Sequence, residues 1–285
     1  MLVRQFSLVA LALLLPLGVA LSQQPDLVDV GTHRLEVLRA GSGGPTLVFE
    51  AGLGNGLDEW DRVWASAAEL SSVVIYSRSG LGRSEIGPAP HTARRAVDEL
   101  HALLGRLKVA PPYVLVGHSY GGLLVRLYTS IYPSEVAGLV LCEGVHEQQV
   151  RRYAVLDSGY SAAFRASFAA ALDQPGAPAA EIRETVRIQE AGAVEGMKPL
   201  PDIPIAVLTS MKVTANPQFV NSTLRGHQAW RAMHDEWFQR SSNGIHLETS
   251  RAGHQIPEQE PGLLIEAIRF VLDRVRTSAG RGGTR

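Results

Sequence analysis

The stretch Pro-Tyr-Val-Leu-Val-Gly-His-Ser-Tyr-Gly-Gly, residues 112–122, is an apolar run that stops at a serine between glycines. The β-branched run before Ser119 predicts a buried strand, and the apolar residues after Ser119 predict a buried helix. Ser119 therefore falls on a strand-to-helix turn. Such a turn strains its central residue, and Gly117 and Gly121 remove side chains that would obstruct it. A Gly-rich turn can also serve tight packing alone. The strand–turn–helix context favours an exposed nucleophile at Ser119, with helix N-terminal N–H groups directed at a developing oxyanion.

Length and composition predict one large α/β domain, since the chain has 285 residues of which 45% are hydrophobic and 19% charged. The formal net charge of −1 gives no electrostatic reason to expect nucleic acid or an anionic membrane surface as a partner. The single cysteine, Cys142, lies in an apolar run and is predicted to be a small buried hydrophobe. Because no paired Cys/His spacing is typical of zinc, we expect no metal and no cofactor.

The two termini differ from the rest of the chain. Arg4 precedes an apolar stretch over 6–21 that ends in Ala20-Leu-Ser22, a pattern typical of a secretory signal peptide. An uncleaved anchor is the alternative, but Pro16 and Gly18 interrupt the short stretch and favour cleavage near Ser22. We therefore expect an exported, periplasmic or secreted protein with no stable membrane span after cleavage. The domain is expected over 23–277, and residues 278–285 are expected to form a disordered basic tail.

Between the termini, strand patterns alternate with helix patterns, which predicts a mostly parallel sheet with helices on both faces. Residues 27–39 alternate about Gly31-Thr32 as an edge hairpin. The Ala-rich segment at about 146–200 breaks the strand rhythm and is interpreted as a small helical cap insertion. Ligands of such sheets bind at the carboxyl ends of the strands. Four polar residues follow strands and are expected to gather there: Glu50, Ser119, Glu143 and His254.

The elbow around Ser119, the late His254 and the segment Arg78-Ser-Gly-Leu-Gly-Arg-Ser84 resemble the α/β-hydrolase family, in its serine esterase-like branch. The resemblance covers about residues 27–277. It implies an oxyanion turn at Glu50-Ala-Gly-Leu-Gly54, with the backbone N–H groups of Leu53 and Tyr120 as the oxyanion donors. Two positions depart from the family pattern. Many members carry His-Gly where this chain has Ala51-Gly52, and many carry aspartate where it has Ser77.

A neutral serine needs a base that takes its proton and later returns it, and histidine suits both steps. His118 is next to the serine but is expected to point away across the turn. His254 lies between Gly253 and Gln255, in the loop between the last strand and the last helix, and is predicted to be the base. The other histidines lie on or beside the edge hairpin, helices and strands: His33, His91, His101, His146, His227, His234 and His246.

The acid that orients the base is harder to place. Its usual position follows the strand that ends near Leu208, yet residues 209–216 contain no carboxylate. Some family members place the acid one strand earlier, where this chain has Glu143, and the chain order Ser, acid, His is then kept. We predict Glu143, with Asp235 and Glu50 as rivals. Glu50 is expected to be structural, as a carboxylate that holds the oxyanion turn.

These residues predict acyl transfer to water through an acyl-enzyme on Ser119. A small-molecule ester is favoured over an amide because an alkoxide leaves more easily and no peptide-recognition feature is visible. A peptidase, a lipase, a C–C bond hydrolase or an acyltransferase would use the same triad. Epoxide and haloalkane chemistry on this fold uses an aspartate nucleophile, which Ser119 argues against. A non-catalytic binding module is the alternative from another class.

Overall fold

An eight-stranded sheet runs through the protein, whose computed structural model describes residues 24–282. The spatial order is β1-β2-β4-β3-β5-β6-β7-β8. β1 and β2 form the expected antiparallel hairpin, β2 pairs antiparallel with β4, and all other pairs are parallel, which confirms the mostly parallel sheet. The strands are β1 Asp26–Asp29, β2 Arg34–Ala40, β3 Leu47–Glu50, β4 Val73–Tyr76, β5 Tyr113–His118, β6 Val136–Cys142, β7 Ile205–Ser210 and β8 Gly244–Thr249.

Helices cover both faces of the sheet. They are α1 Trp64–Ala68, α2 Ala93–Arg106, α3 Tyr120–Ile131, α4 Gln149–Leu156, α5 Tyr160–Leu172, α6 Ala177–Ala191, α7 Leu224–Phe238, α8 Ile256–Gln259 and α9 Pro261–Gly282. Successive strand residues point to opposite faces, so Leu115 packs with α2 and α3 while its neighbours Val114 and Val116 pack with α9. This alternation divides the core into two clusters, one on each side of the sheet.

Three helices, α4 to α6, lie between β6 and β7, in the segment interpreted as an insertion. Tyr153 of α4 and Tyr160 of α5 pack with Trp230 and Met233 of α7 in a small separate cluster. These helices therefore have a hydrophobic anchor of their own above the carboxyl ends of the strands. Their position makes them a wall of the site described below.

At the carboxyl terminus, α9 continues to Gly282, so the structure is helical over 278–282, where a disordered tail was expected. The expected signal peptide at residues 1–22 lies outside the described residues. Among residues 24–282, no helix is both long enough and apolar enough to cross a membrane.

Candidate active site

Ser119 occupies the turn between β5 and α3, with φ +53° and ψ −118°. A positive φ is unusual for a residue with a side chain, so the surrounding structure must hold it. The two flanking glycines explain how the backbone fits. A Cβ on Gly117 would lie 2.6 Å from the carbonyl oxygen of Gly121, and a Cβ on Gly121 would lie 2.0 Å from that of Glu50. At Gly117 and Gly121 the backbone therefore packs too closely to admit any residue with a side chain.

The structure brings the three residues of the expected triad together. Oγ of Ser119 lies 2.9 Å from Nε2 of His254. On the other side of the same ring, Nδ1 lies 3.1 Å from Oε2 of Glu143. This order of contacts allows His254 to take the serine proton at Nε2 while a carboxylate fixes the proton on Nδ1.

Glu143 follows β6 directly and is 4% exposed. Its Oε1 accepts hydrogen bonds from the backbone N–H of Ser210, at 2.6 Å, and from Nε1 of Trp230, at 3.1 Å. Burial raises the pKa of this carboxyl, but the hydrogen bond and charge of His254 and the Ser210 N–H outweigh it, and the net shift is downward. Glu143 is therefore ionised at neutral pH and can stabilise a positive His254.

The two rival acids lie elsewhere. Asp235, on α7, accepts from Arg231 and pairs with Nδ1 of His246 at 2.7 Å. Glu50 is 1% exposed and accepts from the hydroxyl of Tyr76 and from Arg78. Neither carboxylate has a hydrogen bond to His254 within residues 24–282.

The oxyanion turn after β3 offers one free N–H between two occupied ones. The N–H of Gly52 donates to Glu59 at 2.6 Å, and that of Gly54 donates to Glu181 at 2.9 Å. Within the described part of the chain, the N–H groups of Leu53 and of Tyr120 have no acceptor. Both residues line the same cavity as Ser119.

Arg78, which sequence reasoning left without a role, holds the oxyanion turn from behind. It donates to the carbonyl oxygens of Ala51 and Gly52 at 2.7 and 2.6 Å. Its guanidinium also pairs with Glu50 and with Glu181 of α6. Glu50 thus reaches the oxyanion turn through Arg78. The available signal was the position of Arg78 after β4, at the carboxyl edge of the sheet.

Within residues 24–282, His118 has no hydrogen bond to Ser119, in keeping with the expectation that it points away, but it lies against His254. Its ring is buried beside that of His254, with centroids 4.9 Å apart, and Nε2 faces the backbone carbonyl oxygen of His254 at 2.9 Å. The alternation of β5 turns this side chain to the opposite face of the sheet from Ser119, and that face is where the loop carrying His254 crosses. Sequence spacing could not show this crossing.

A cavity of about 510 Å³ opens above Ser119. Its wall combines the oxyanion turn and the triad with aromatic side chains of α4, α5 and α7: Tyr153, Phe164, Phe168 and Trp230. A larger open cleft, about 1110 Å³, lies at the other end of the strands, where Thr46, Val73 and Pro112 line it. Since parallel sheets bind ligands at the carboxyl ends of strands, the smaller cavity is the candidate substrate site.

Within residues 24–282, no cluster of three or more His, Cys, Asp or Glu side chains is placed to hold a metal ion.

The α/β-hydrolase fold family matches residues 45–183. The uncharacterized protein YqjL of Bacillus subtilis is 26% identical over 244 residues, which cover 81% of this chain and 84% of YqjL. Other curated relatives share a shorter segment, which spans less than half of their length.

Solved structures give the same fold. A thermophilic esterase from Thermogutta terrifontis has a TM-score of 0.63 at 18% identity, over 88% of this chain and 99% of the esterase. The enol-lactonase from Burkholderia xenovorans LB400 has a TM-score of 0.60 at 19% identity, over 87% and 100%. At these identities the similarity concerns the fold alone. The chain has the α/β-hydrolase fold, which its sheet and the matched segment both show.

Proposed function

We propose that the protein is a serine hydrolase that cleaves carboxylic esters through an acyl-enzyme on Ser119. The observation that carries this proposal is the continuous chain of contacts from Oγ of Ser119 through the ring of His254 to Glu143, at 2.9 and 3.1 Å. A serine, a base and an orienting acid in this order are the requirements of nucleophilic acyl transfer.

The proposed reaction follows from the positions of these groups. Nε2 of His254 accepts the hydroxyl proton as Oγ of Ser119 attacks the ester carbonyl carbon. The carbonyl oxygen becomes negative and is stabilised by the N–H groups of Leu53 and Tyr120. Glu143 stabilises the imidazolium that has formed. The tetrahedral intermediate collapses, the alcohol leaves with the proton from His254, and a water molecule repeats the sequence to release the acid.

The cavity supports a small, partly apolar ester. Its aromatic side is formed by Tyr153, Phe164, Phe168 and Trp230, and its polar side includes Lys212 and Gln259. Pockets that combine an apolar wall with a few polar groups suit small organic substrates. A lipase, a peptidase, a C–C bond hydrolase or an acyltransferase would use the same triad. The acyl-length preference of ester hydrolysis separates a short-chain esterase from a lipase.

The direct test is hydrolysis of p-nitrophenyl esters of increasing acyl length by the protein lacking residues 1–22. Ser119→Ala should abolish turnover and labelling by a fluorophosphonate, with the thermal midpoint little changed. Ser161→Ala, at an exposed serine of α5, is the matched control and should behave as the parent. If the parent cleaves no ester and its Ser119 is not labelled, the proposal fails and the non-catalytic alternative takes its place.

We also propose that the protein is exported, because residues 1–22 combine Arg4, an apolar stretch and a small-residue cleavage pattern. Expression of the full chain with its mass measured after fractionation tests this. A processed product starting near residue 23 in an extracytoplasmic fraction supports export, and a full-length product retained in the cytoplasm contradicts it.

A further inference from the structure

The residue before the nucleophile makes a pair of contacts that the proposed reaction does not use. His118 is 1% exposed. Its Nδ1 lies 2.5 Å from Oε1 of Glu59, and its Nε2 lies 2.9 Å from the backbone oxygen of His254. Both ring nitrogens therefore face oxygen atoms, one on a carboxylate and the other on a main-chain carbonyl.

When Glu59 is ionised, this arrangement requires a proton on each ring nitrogen. A carbonyl oxygen and a carboxylate oxygen both accept hydrogen bonds, whereas a neutral imidazole carries a single N–H. In a neutral ring facing a carboxylate, one nitrogen lone pair would point at an oxygen lone pair inside a buried site, which is costly. A ring with both nitrogens protonated donates to Glu59 and to His254 at once.

The surroundings of Glu59 favour the matching negative charge. Its Oε2 accepts the N–H of Gly52 at 2.6 Å, and its Oε1 accepts from the side-chain amide of Asn55 at 3.1 Å. Burial raises the pKa of Glu59, but these hydrogen bonds and His118 lower it by a larger amount, so the net shift is downward. Burial lowers the pKa of His118, but Glu59, the carbonyl of His254 and the charge of Glu143 together raise it by more. The two shifts agree with a buried imidazolium–carboxylate pair.

We propose that His118 is a positioning residue of the proposed ester hydrolysis: as an imidazolium paired with Glu59, it ties the main chain of the base His254 to the oxyanion turn at Gly52. This inference rests on the proposed function. Glu59 holds the N–H beside the oxyanion donor of Leu53, and His118 holds the carbonyl of the base. One buried ion pair thus sets the position of the base relative to the oxyanion donors.

The side chain of His254 is 47% exposed, so packing alone does not hold it. Main-chain bonds hold the loop around it: Oγ of Ser210 donates to the carbonyl of Ala252 at 2.8 Å, and the N–H of Gly253 donates to Gln259 at 2.7 Å. The bond from His118 is made to the main-chain carbonyl oxygen of His254. Loss of this bond should shift the imidazole of His254 relative to Ser119 while leaving the imidazole present.

A pair of substitutions separates positioning from charge. The amide nitrogen of His118→Gln can occupy the place of Nε2 and still donate to His254, whereas that of His118→Asn can occupy the place of Nδ1 and reach only Glu59. Both variants lose the positive charge. We expect His118→Asn to lower kcat by about 10- to 100-fold with KM changed less than about twofold, and His118→Gln to keep kcat within about fivefold.

Thermal unfolding of both variants accompanies the kinetics. Equal losses of kcat in the two variants, in proportion to their loss of stability, would assign His118 to packing alone and overturn the proposal. Unchanged kcat in both would overturn it as well.

A second measurement needs neither substrate nor a stable variant for its result. In the parent protein labelled with ¹⁵N-histidine, both ring nitrogens of His118 should be protonated at neutral pH. The resonance is assigned as the one absent from His118→Gln or, if that variant does not fold, through its coupling to the adjacent backbone. A ring with one protonated nitrogen overturns the ion pair. If the parent hydrolyses no ester, the proposed function fails in the assay, and the spectrum still decides the state of His118.

Discussion

Oε2 of Glu143 lies 3.1 Å from Nδ1 of His254, while Oε1 of the same carboxylate is held by the N–H of Ser210 and the indole of Trp230. The carboxylate is therefore fixed on one side and presents its free oxygen to the base on the other. Glu143 therefore contacts the ring of His254, which the rival acids Asp235 and Glu50 do not within the described residues. A substitution at Glu143 thus tests whether this carboxylate orients the base.

Glu143→Gln should lower kcat by about 10²- to 10⁴-fold with little change in KM. The new amide would direct its NH₂ at Nδ1 of His254 and favour the ring tautomer with the proton on Nε2, which cannot accept the proton of Ser119. Steady-state hydrolysis of one p-nitrophenyl ester measures the effect. Asp235→Asn is the control. A mild effect at Glu143 together with a severe one at Asp235 would reassign the acid.

Gly121→Ala should destabilise the protein by more than about 3 kcal/mol or prevent folding, because the added Cβ would lie 2.0 Å from the backbone oxygen of Glu50. Gly105→Ala is the matched control, since Gly105 lies in α2 with no atom within 4 Å of its added Cβ. That change should stabilise by up to about 1 kcal/mol. Urea unfolding measures both, and a well-folded Gly121→Ala variant would refute the close packing of the elbow.

Arg78→Met should lower the free energy of unfolding by about 3–5 kcal/mol, because it leaves Glu50 and Glu181 as unpaired buried carboxylates. It should also reduce kcat, since the oxyanion turn loses the two bonds to its carbonyls. Arg94→Met removes an exposed ion pair with Asp98 on α2 and should cost less than about 1 kcal/mol. Equal effects of the two substitutions in urea unfolding would show that the Arg78 network stabilises nothing.

The free energy of unfolding should fall as the pH drops from about 6.5 to about 4. Burial lowers the pKa of His234 to about 4, whereas an unfolded histidine titrates near 6.5. In this window the unfolded chain binds more protons than the folded one, so acid favours unfolding. His234 should account for about 3 kcal/mol of the loss.

His146, whose pKa burial also lowers to about 4, should add to the same dependence on pH. His234→Gln, compared with the parent in urea unfolding at several pH values, should show a shallower dependence, because one of the two histidines has been removed. His91→Gln, a change at a histidine in the loop before α2, serves as the control for substitution of a histidine. An unchanged slope in the His234 variant would contradict the assignment.

A second cavity of about 290 Å³ adjoins the first and shares Phe164 and Phe168 with it. Its wall carries no charged residue, which suits the end of a longer acyl chain. Ala163→Trp, in this wall, should lower kcat/KM for long-chain esters by about tenfold or more and leave acetate esters unaffected. Ala162→Trp places the same side chain on the exposed side of α5. An identical chain-length profile in both variants would show that the second cavity takes no part in binding.

Ser119 and His254 could be placed at the candidate site from the sequence because local patterns position them. The pattern around Ser119 specifies one backbone conformation through its glycines, and strand periodicity places Ser119, Glu143 and His254 at one edge of the sheet. The acid was left among three carboxylates, since a side chain that follows a strand can point toward the site or away from it.

By itself the sequence determined the fold class, the tight turn at Ser119 and the placement of polar residues at the carboxyl ends of the strands. These features follow from the alternation of strand and helix patterns and from glycine spacing, which act over a few residues. Tertiary structure alone decided which carboxylate faces His254, that Arg78 holds the oxyanion turn, and that His118 lies against the base. These contacts join residues far apart in the chain, as in the bond between His118 and His254. Their geometry depends on how separate elements pack, and no local pattern encodes it.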